Sequence, residues 1–153
     1  MTTKILQGHV LDILKDMSTE SIDLIIFSPP YYGTRDYGEK AITVWRGKPE
    51  CKHEWKDNFC ECGAWRGQLG MEPDYMMYID NMVEVFKELK RVLKKTGSIY
   101  MVIDDVYASK SMNWTEEYAN KKQYHPKEPL KRGTGNIQGK SLMLIPERLA
   151  IRL

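Results

Sequence analysis

Asp23-Leu24-Ile25-Ile26-Phe27-Ser28-Pro29-Pro30-Tyr31 is the stretch on which the fold of this chain turns. From Ile22 to Phe27 the residues are β-branched, aliphatic and aromatic, with one acid near the start, and two prolines stop the run. A short continuous apolar run ended in this way reads as a buried central strand of a parallel sheet. Upstream, Val10, Leu11, Ile13, Leu14 and Met17 fall at helical spacing. Downstream, helical order spans Pro73 to Leu93, with Ile79, Met82, Val83, Phe86 and Leu89 on one stripe, Lys94 and Lys95 at its end and Gly97 as the stop. Ser98 to Ile103 is a second buried-type strand, closed by Asp104-Asp105. Strand, helix and strand predict an α/β plan with parallel strands, and Leu142, Ile145, Leu149 and Leu153 begin one more helix.

Two segments interrupt this plan. Residues 39–70 mix glycines, aromatics and charges without period and far exceed an ordinary connection of about 4–6 residues, so they form a loop insertion. Residues 107–140 are polar, basic and glycine-bearing, a flexible basic loop. From Lys121 to Lys140 the only acid is Glu128, and that local excess of positive charge suits either a phosphate backbone or a solvated loop. At 153 residues the chain is one domain or part of one. No apolar run approaches the roughly 18 residues of a membrane span, and Met1 to Leu14 lacks a secretory signal, so a cytoplasmic location is expected. Cys51, Cys60 and Cys62 are odd in number and crowded together, which speaks for metal or free thiols rather than a disulfide framework.

Ligands of open α/β sheets bind beyond the carboxyl ends of the strands, where Ser28 and Asp104 stand. The prolines stiffen Ser28-Pro29-Pro30-Tyr31, so the serine hydroxyl and the nearby carbonyls are acceptors aimed in advance. An exocyclic amine on a nucleobase shares its lone pair with the ring and is a poor nucleophile. Acceptors for both of its protons draw the nitrogen toward a tetrahedral, more nucleophilic geometry for attack on a sulfonium methyl. Tyr31 can stack on a base taken out of the duplex. A bare Ser-Pro-Pro-Tyr is ordinarily only a stiff turn; the strand before it and the glycine- and aromatic-rich loop after it set this one apart.

Residues 23–31 resemble the catalytic motif of site-specific, amino-directed DNA methyltransferases (cytosine-N4 or adenine-N6 type), in the circularly permuted class whose catalytic half comes first. Further resemblance lies in Gly38, Trp45, Cys51 to Trp55, Cys60 to Gly70, Glu72-Pro73 and Ile145-Pro146-Glu147-Arg148. It implies a partial Rossmann-like, S-adenosylmethionine-dependent methyltransferase fold, with residues 1–153 as the N-terminal catalytic part of one domain. It also implies methylation of a flipped base in double-stranded DNA, a restriction endonuclease as counterpart, and cytosine as target, since the serine form of the motif accompanies cytosine more often and the aspartate form adenine. The family grips the cofactor with an F-x-G-x-G loop that this chain lacks; the resemblance places that loop and the target-recognition region downstream of Leu153. Gly133-Thr134-Gly135 follows no predicted strand and is no substitute.

Asp104 is expected to line the site without acting as a base, because the attacking nitrogen can lose its proton after methyl transfer. Cys51-x-His53 and Cys60-x-Cys62 supply four ligands suited to a tetrahedral, structural zinc that would staple the long loop, although the C-x-C gap is tighter than usual. Arg35, Lys131 and Arg132 are candidates for phosphate contact. Trp45, Trp55 and Trp65 read as anchors of the loop's own core. Three other readings use the same residues: a non-catalytic, zinc-stabilised DNA-binding module, an inactive methyltransferase remnant, or methylation of RNA or a protein amide by a related pocket.

Overall fold

A computed structural model of the chain describes residues 2–108 and 133–153. Its centre is a two-stranded parallel sheet of β1 (Ile22–Phe27) and β4 (Leu93–Met101), with Ile25 opposite Ile99 and Phe27 opposite Met101. The long helix α2 (Tyr75–Val92) connects the small hairpin described below to β4. Asp74 starts α2 by accepting the Met76 N–H at 2.8 Å, and Lys90 and Arg91 sit in its last turn, where the exposed carbonyls carry partial negative charge. Tyr78, Ile79, Met82, Val85, Leu89 and Val92 are buried at three- and four-residue steps. Each contributes roughly 1.5–3 kcal/mol on leaving water. The N-terminal part of α2 joins one core, with Tyr32, Met143 and Leu149; its C-terminal part joins another, with Leu14, Trp45 and Trp65.

The helix and second strand differ from the sequence expectation at their junction. α2 stops at Val92, and Leu93 already has extended backbone, so β4 begins five residues earlier than predicted. Ile22 pairs with Leu93 but Leu24 with Ser98, so residues 94–97 bulge. A Cβ on Gly97 would stand 2.9 Å from the Asp23 carbonyl. Gly97 therefore serves the close approach of two strands, not the end of a helix.

β1 has the predicted boundaries but not the predicted burial on both faces. Ile25 and Phe27 pack toward α2, whereas Leu24 and Ile26 are 50% and 68% exposed, and Tyr100 and Val102 continue the bare face. An apolar run records what a strand can bury; among the described residues only one face receives a layer.

The insertion at 39–70 is more ordered than its lack of period suggests. A 3₁₀ turn at Glu39–Ala41 leads into the antiparallel pair β2 (Thr43–Trp45) and β3 (Trp65–Gly67), with Trp45 opposite Trp65. Strands of three residues are too short to display alternation. Trp45 and Trp65 are buried, in line with the anchoring role read from the sequence, whereas Trp55 is only half-buried. α1 (Val10–Lys15) is shorter than its apolar spacing implied, and the Arg91 guanidinium ties it down by donating to the Leu14 and Met17 carbonyls at 2.6 and 2.9 Å. α3 (Ile145–Arg152) starts with Pro146 in its first turn and buries Ile145 and Leu149.

Residues 109–132, with Lys131 and Arg132 among them, lie outside the described residues. The described ends of the predicted flexible loop 107–140 are anchored. Ala108 exchanges backbone hydrogen bonds with Lys140 and Ser141, each 2.8 Å, and Val106 accepts from Met143 at 2.9 Å. These long-range pairings have no periodic signature, and for that reason the sequence did not show them.

Candidate active site

β1 and β4 run in parallel and in register at Phe27 and Met101, so Ser28 and Asp104 leave the sheet at the same carboxyl end. Ser28 is exposed and its hydroxyl donates to the Tyr31 phenol oxygen at 3.2 Å. With its proton directed to Tyr31, the Ser28 oxygen keeps lone pairs with which to accept. Pro29 is buried and Tyr31 half-buried, so the turn is seated on the protein while its polar edge meets solvent.

The tetrapeptide is braced from behind. The buried Tyr78 hydroxyl donates to the Pro30 carbonyl at 2.9 Å, and burial raises the Tyr78 phenol above its ordinary value, so it stays a neutral donor. Thr34 donates to the Tyr31 carbonyl through its hydroxyl at 2.8 Å. Gly33 N–H reaches the Gly70 carbonyl at 2.6 Å. The Pro30 and Tyr31 carbonyls are engaged, and the Ser28 and Pro29 carbonyls are the two without a partner in this turn among the described residues. Ser28, Pro29, Pro30 and Tyr31 thus form one braced turn at the end of β1.

Gly70 forms the floor of this brace. Its φ is +90°, and a Cβ there would come within 2.9 Å of the Tyr31 carbonyl and 3.3 Å of Pro30. Glu72, 1% exposed, holds Gly70 by accepting its N–H at 2.8 Å and takes the Asn81 amide at 3.0 Å on its other oxygen. Arg46 completes the chain with a 2.9 Å bond to Asn81 Oδ1. Burial raises the Glu72 carboxyl to about 7 against the opposing pull of Asn81, the Gly70 N–H and Arg46. Tyr78 and Asn81 were not singled out by sequence reasoning, and Glu72 entered only with Pro73 as part of the family resemblance. Tyr78 and Asn81 are ordinary members of a helix, and Glu72 gave one further signal, an acid immediately before the proline that precedes the Asp74 cap of α2.

The two acids at the end of β4 separate clearly. Asp105 caps α3, its two oxygens accepting the N–H groups of Leu144 and Ile145 at 2.8 and 2.9 Å. Asp104 is exposed beside the Ser28 end of the sheet, with its carboxylate on the Asp105 N–H at 2.9 Å. Arg35 is exposed just past the motif and lies 5.7 Å from the Tyr37 ring centre. Gly133 does not cradle a ligand: its carbonyl and N–H both bond the Tyr32 hydroxyl at 3.0 Å, and a Cβ would collide with Pro73.

Cys51, His53, Cys60 and Cys62 converge, their ligand atoms all within 4.8 Å of one another. Backbone N–H donation from Lys48, with a further bond from Ala64, holds the Cys62 thiol down to about 6, whereas the neighbouring Cys62 pushes Cys51 up to about 11. His9 is not at either site; its ring stands edge-on to Trp45 at 4.8 Å, and burial lowers its pKa.

The Ser-Pro-Pro-Tyr turn stands at the carboxyl end of a parallel sheet, and comparison with known proteins gives the family of the chain. The family model described as DNA methylase, of the N6/N4 amino-directed type, matches residues 22–142, and the chain belongs to this family. Among its relatives is the Type II methyltransferase M.SmaI of Serratia marcescens, 27% identical over 98% of this chain and 42% of that protein. M.XycI of Xanthomonas campestris pv. cyanopsidis is 26% identical over 96% and 40%, and M.SfiI of Streptomyces fimbriatus 30% identical over 95% and 25%. The chain therefore spans between 25% and 42% of the length of these curated relatives. No solved structure matches it. Among the described residues no helix is long and apolar enough to cross a membrane.

Proposed function

We propose that residues 1–153 form the base-holding part of a Rossmann-like DNA methyltransferase domain that methylates an exocyclic amino group, cytosine N4 in preference to adenine N6. The observation that carries this reading is the Ser28 hydroxyl committed as a donor to Tyr31 within a turn braced by Tyr78, Thr34 and Gly70. That geometry leaves Ser28 Oγ and the Pro29 carbonyl to accept the two protons of the amine, and the half-buried Tyr31 ring to stack on the extruded base. S-adenosylmethionine, the family's methyl donor, supplies an electrophilic sulfonium methyl group when bound. The amine nitrogen forms the new N–C bond as the methyl leaves sulfur, and the nitrogen then releases a proton to solvent. Asp104, exposed at the same strand ends, lines the site without taking that proton in the transition state.

The described residues include no glycine-rich turn between a strand and a helix that would cradle the cofactor, so this chain's own contribution is on the side of the acceptor base. Arg35, Lys131 and Arg132 are assigned to phosphates of the duplex, and a restriction endonuclease of the same specificity is the expected counterpart. Ser28→Ala in the intact protein tests the assignment. Transfer of labelled methyl groups to duplex DNA should fall by about 10²–10³-fold, in line with loss of one aimed polar group, while DNA affinity is retained. Unchanged methylation would sink the assignment. Nucleoside analysis of the product decides between N4-methylcytosine and N6-methyladenine.

A further inference from the structure

We propose that Cys51, His53, Cys60 and Cys62 hold one tetrahedral zinc ion, a structural clamp that is independent of the methyl-transfer reading. Two edges of the ligand set are given directly: Cys51 Sγ to Cys60 Sγ is 3.8 Å and Cys62 Sγ to His53 Nδ1 is 3.3 Å. Zinc–sulfur and zinc–nitrogen bonds of about 2.3 and 2.05 Å at tetrahedral angles require edges of about 3.8 Å between sulfurs and about 3.6 Å between sulfur and nitrogen. The first edge agrees and the second needs a few tenths of an ångström. The Cys51–Cys60 separation is nearly twice a disulfide bond of about 2.05 Å. All three cysteines are free thiols.

The ligands sit on two arms of a small hairpin. Cys51 and His53 are on one arm, Cys60 and Cys62 on the other, and Lys56 and Phe59 exchange backbone hydrogen bonds of 2.8 and 2.9 Å between them. Asp57 and Asn58 turn the chain with φ of 49° and 67°, the pair of left-handed residues that a tight two-residue hairpin turn requires. At the base of the second arm, Cys60 N–H bonds the Ala64 carbonyl and Gly63 N–H the Cys60 carbonyl, each at 2.9 Å. This tight turn aims both sulfurs inward, and it answers the objection that a single residue between cysteines is too short.

The segment needs such a clamp, because no residue from 46 to 63 is buried, and apolar packing contributes little to its order. Three residues past Cys62 its second arm reaches Trp65, which is buried, and it leads on through β3 to Gly70 under the Tyr31 carbonyl. A metal at the four ligands therefore holds the approach to the wall that supports the Ser28 turn. Three thiolates and an imidazole are a borderline-soft set with no position left for water, which selects zinc in a structural role and excludes catalysis by the ion.

The test uses the full chain, purified without chelators. About one zinc per chain is expected by elemental analysis. Cobalt(II) added to the demetallated chain should give tetrahedral d–d bands and thiolate charge-transfer absorption. Cys60→Ser and Cys62→Ser should lose the zinc, while Lys52→Ala, within the hairpin but not a ligand, should keep it. Since a cysteine variant can fail to fold, the cobalt titration of the unaltered chain stands by itself: no tetrahedral spectrum overturns the proposal. So does bound iron in place of zinc, or a disulfide between two of the three cysteines in the native protein.

Discussion

Glu72→Gln probes the buried brace behind the Ser28-Pro29-Pro30-Tyr31 turn through its pH dependence. The Glu72 carboxyl is raised from 4.5 to about 7 in the fold, so between these values the folded chain holds a proton that the unfolded chain has released. Its contribution to stability is full below the unfolded value and is lost as pH rises through the folded one. Integrated from about pH 5 to about pH 8, the loss is about 2.5 kcal/mol. His9 and Cys62 have lowered values and act with the opposite sign, so the wild-type profile alone mixes these effects. Glutamine does not titrate. It retains an acceptor for the Gly70 N–H but turns a donor toward the Asn81 amide, at a cost of about 1 kcal/mol. Urea unfolding at both pH values should show wild type losing roughly 2–3 kcal/mol more than the variant on going to the higher pH. Equal changes in the two proteins would refute the argument that Glu72 is the group that titrates.

The remaining outcomes follow from particular contacts. Asp105→Ala removes both acceptors at the start of α3 and should cost about 0.5–2 kcal/mol in chemical unfolding, whereas Asp104→Ala should stay within about 0.5 kcal/mol of wild type and lower methyl transfer instead; the reverse pattern would exchange their roles. Gly70→Ala should destabilise by about 1–3 kcal/mol and depress methylation by displacing Tyr31. Gly38→Ala, also at positive φ (+79°) but with open space around its Cβ, should bear a backbone cost alone and leave methylation unchanged, and an equal loss of methylation at the two glycines would discount the Tyr31 contact.

The stiff turn Ser28-Pro29-Pro30-Tyr31 was legible in the sequence because its physics is local. Two prolines restrict the backbone whatever surrounds them, and a short apolar run followed by that restriction ends a strand in any α/β setting. The limits of β1, the stripe of α2, the parallel pairing and the gathering of cysteines with a histidine all follow from residue type and spacing. Tertiary structure decided the matters that depend on a partner far along the chain. Glu72 and Asn81 meet across nine residues and matter only because both are sealed from water; Tyr78 reaches Pro30 across forty-eight. Asp104 and Asp105 are the same residue type side by side, and only the arrival of α3 makes one a cap and leaves the other at the strand ends. An apolar run states what β1 can bury, but the layer that covers a face is contributed by other segments, and so Leu24 and Ile26 lie bare where the sequence alone implied burial.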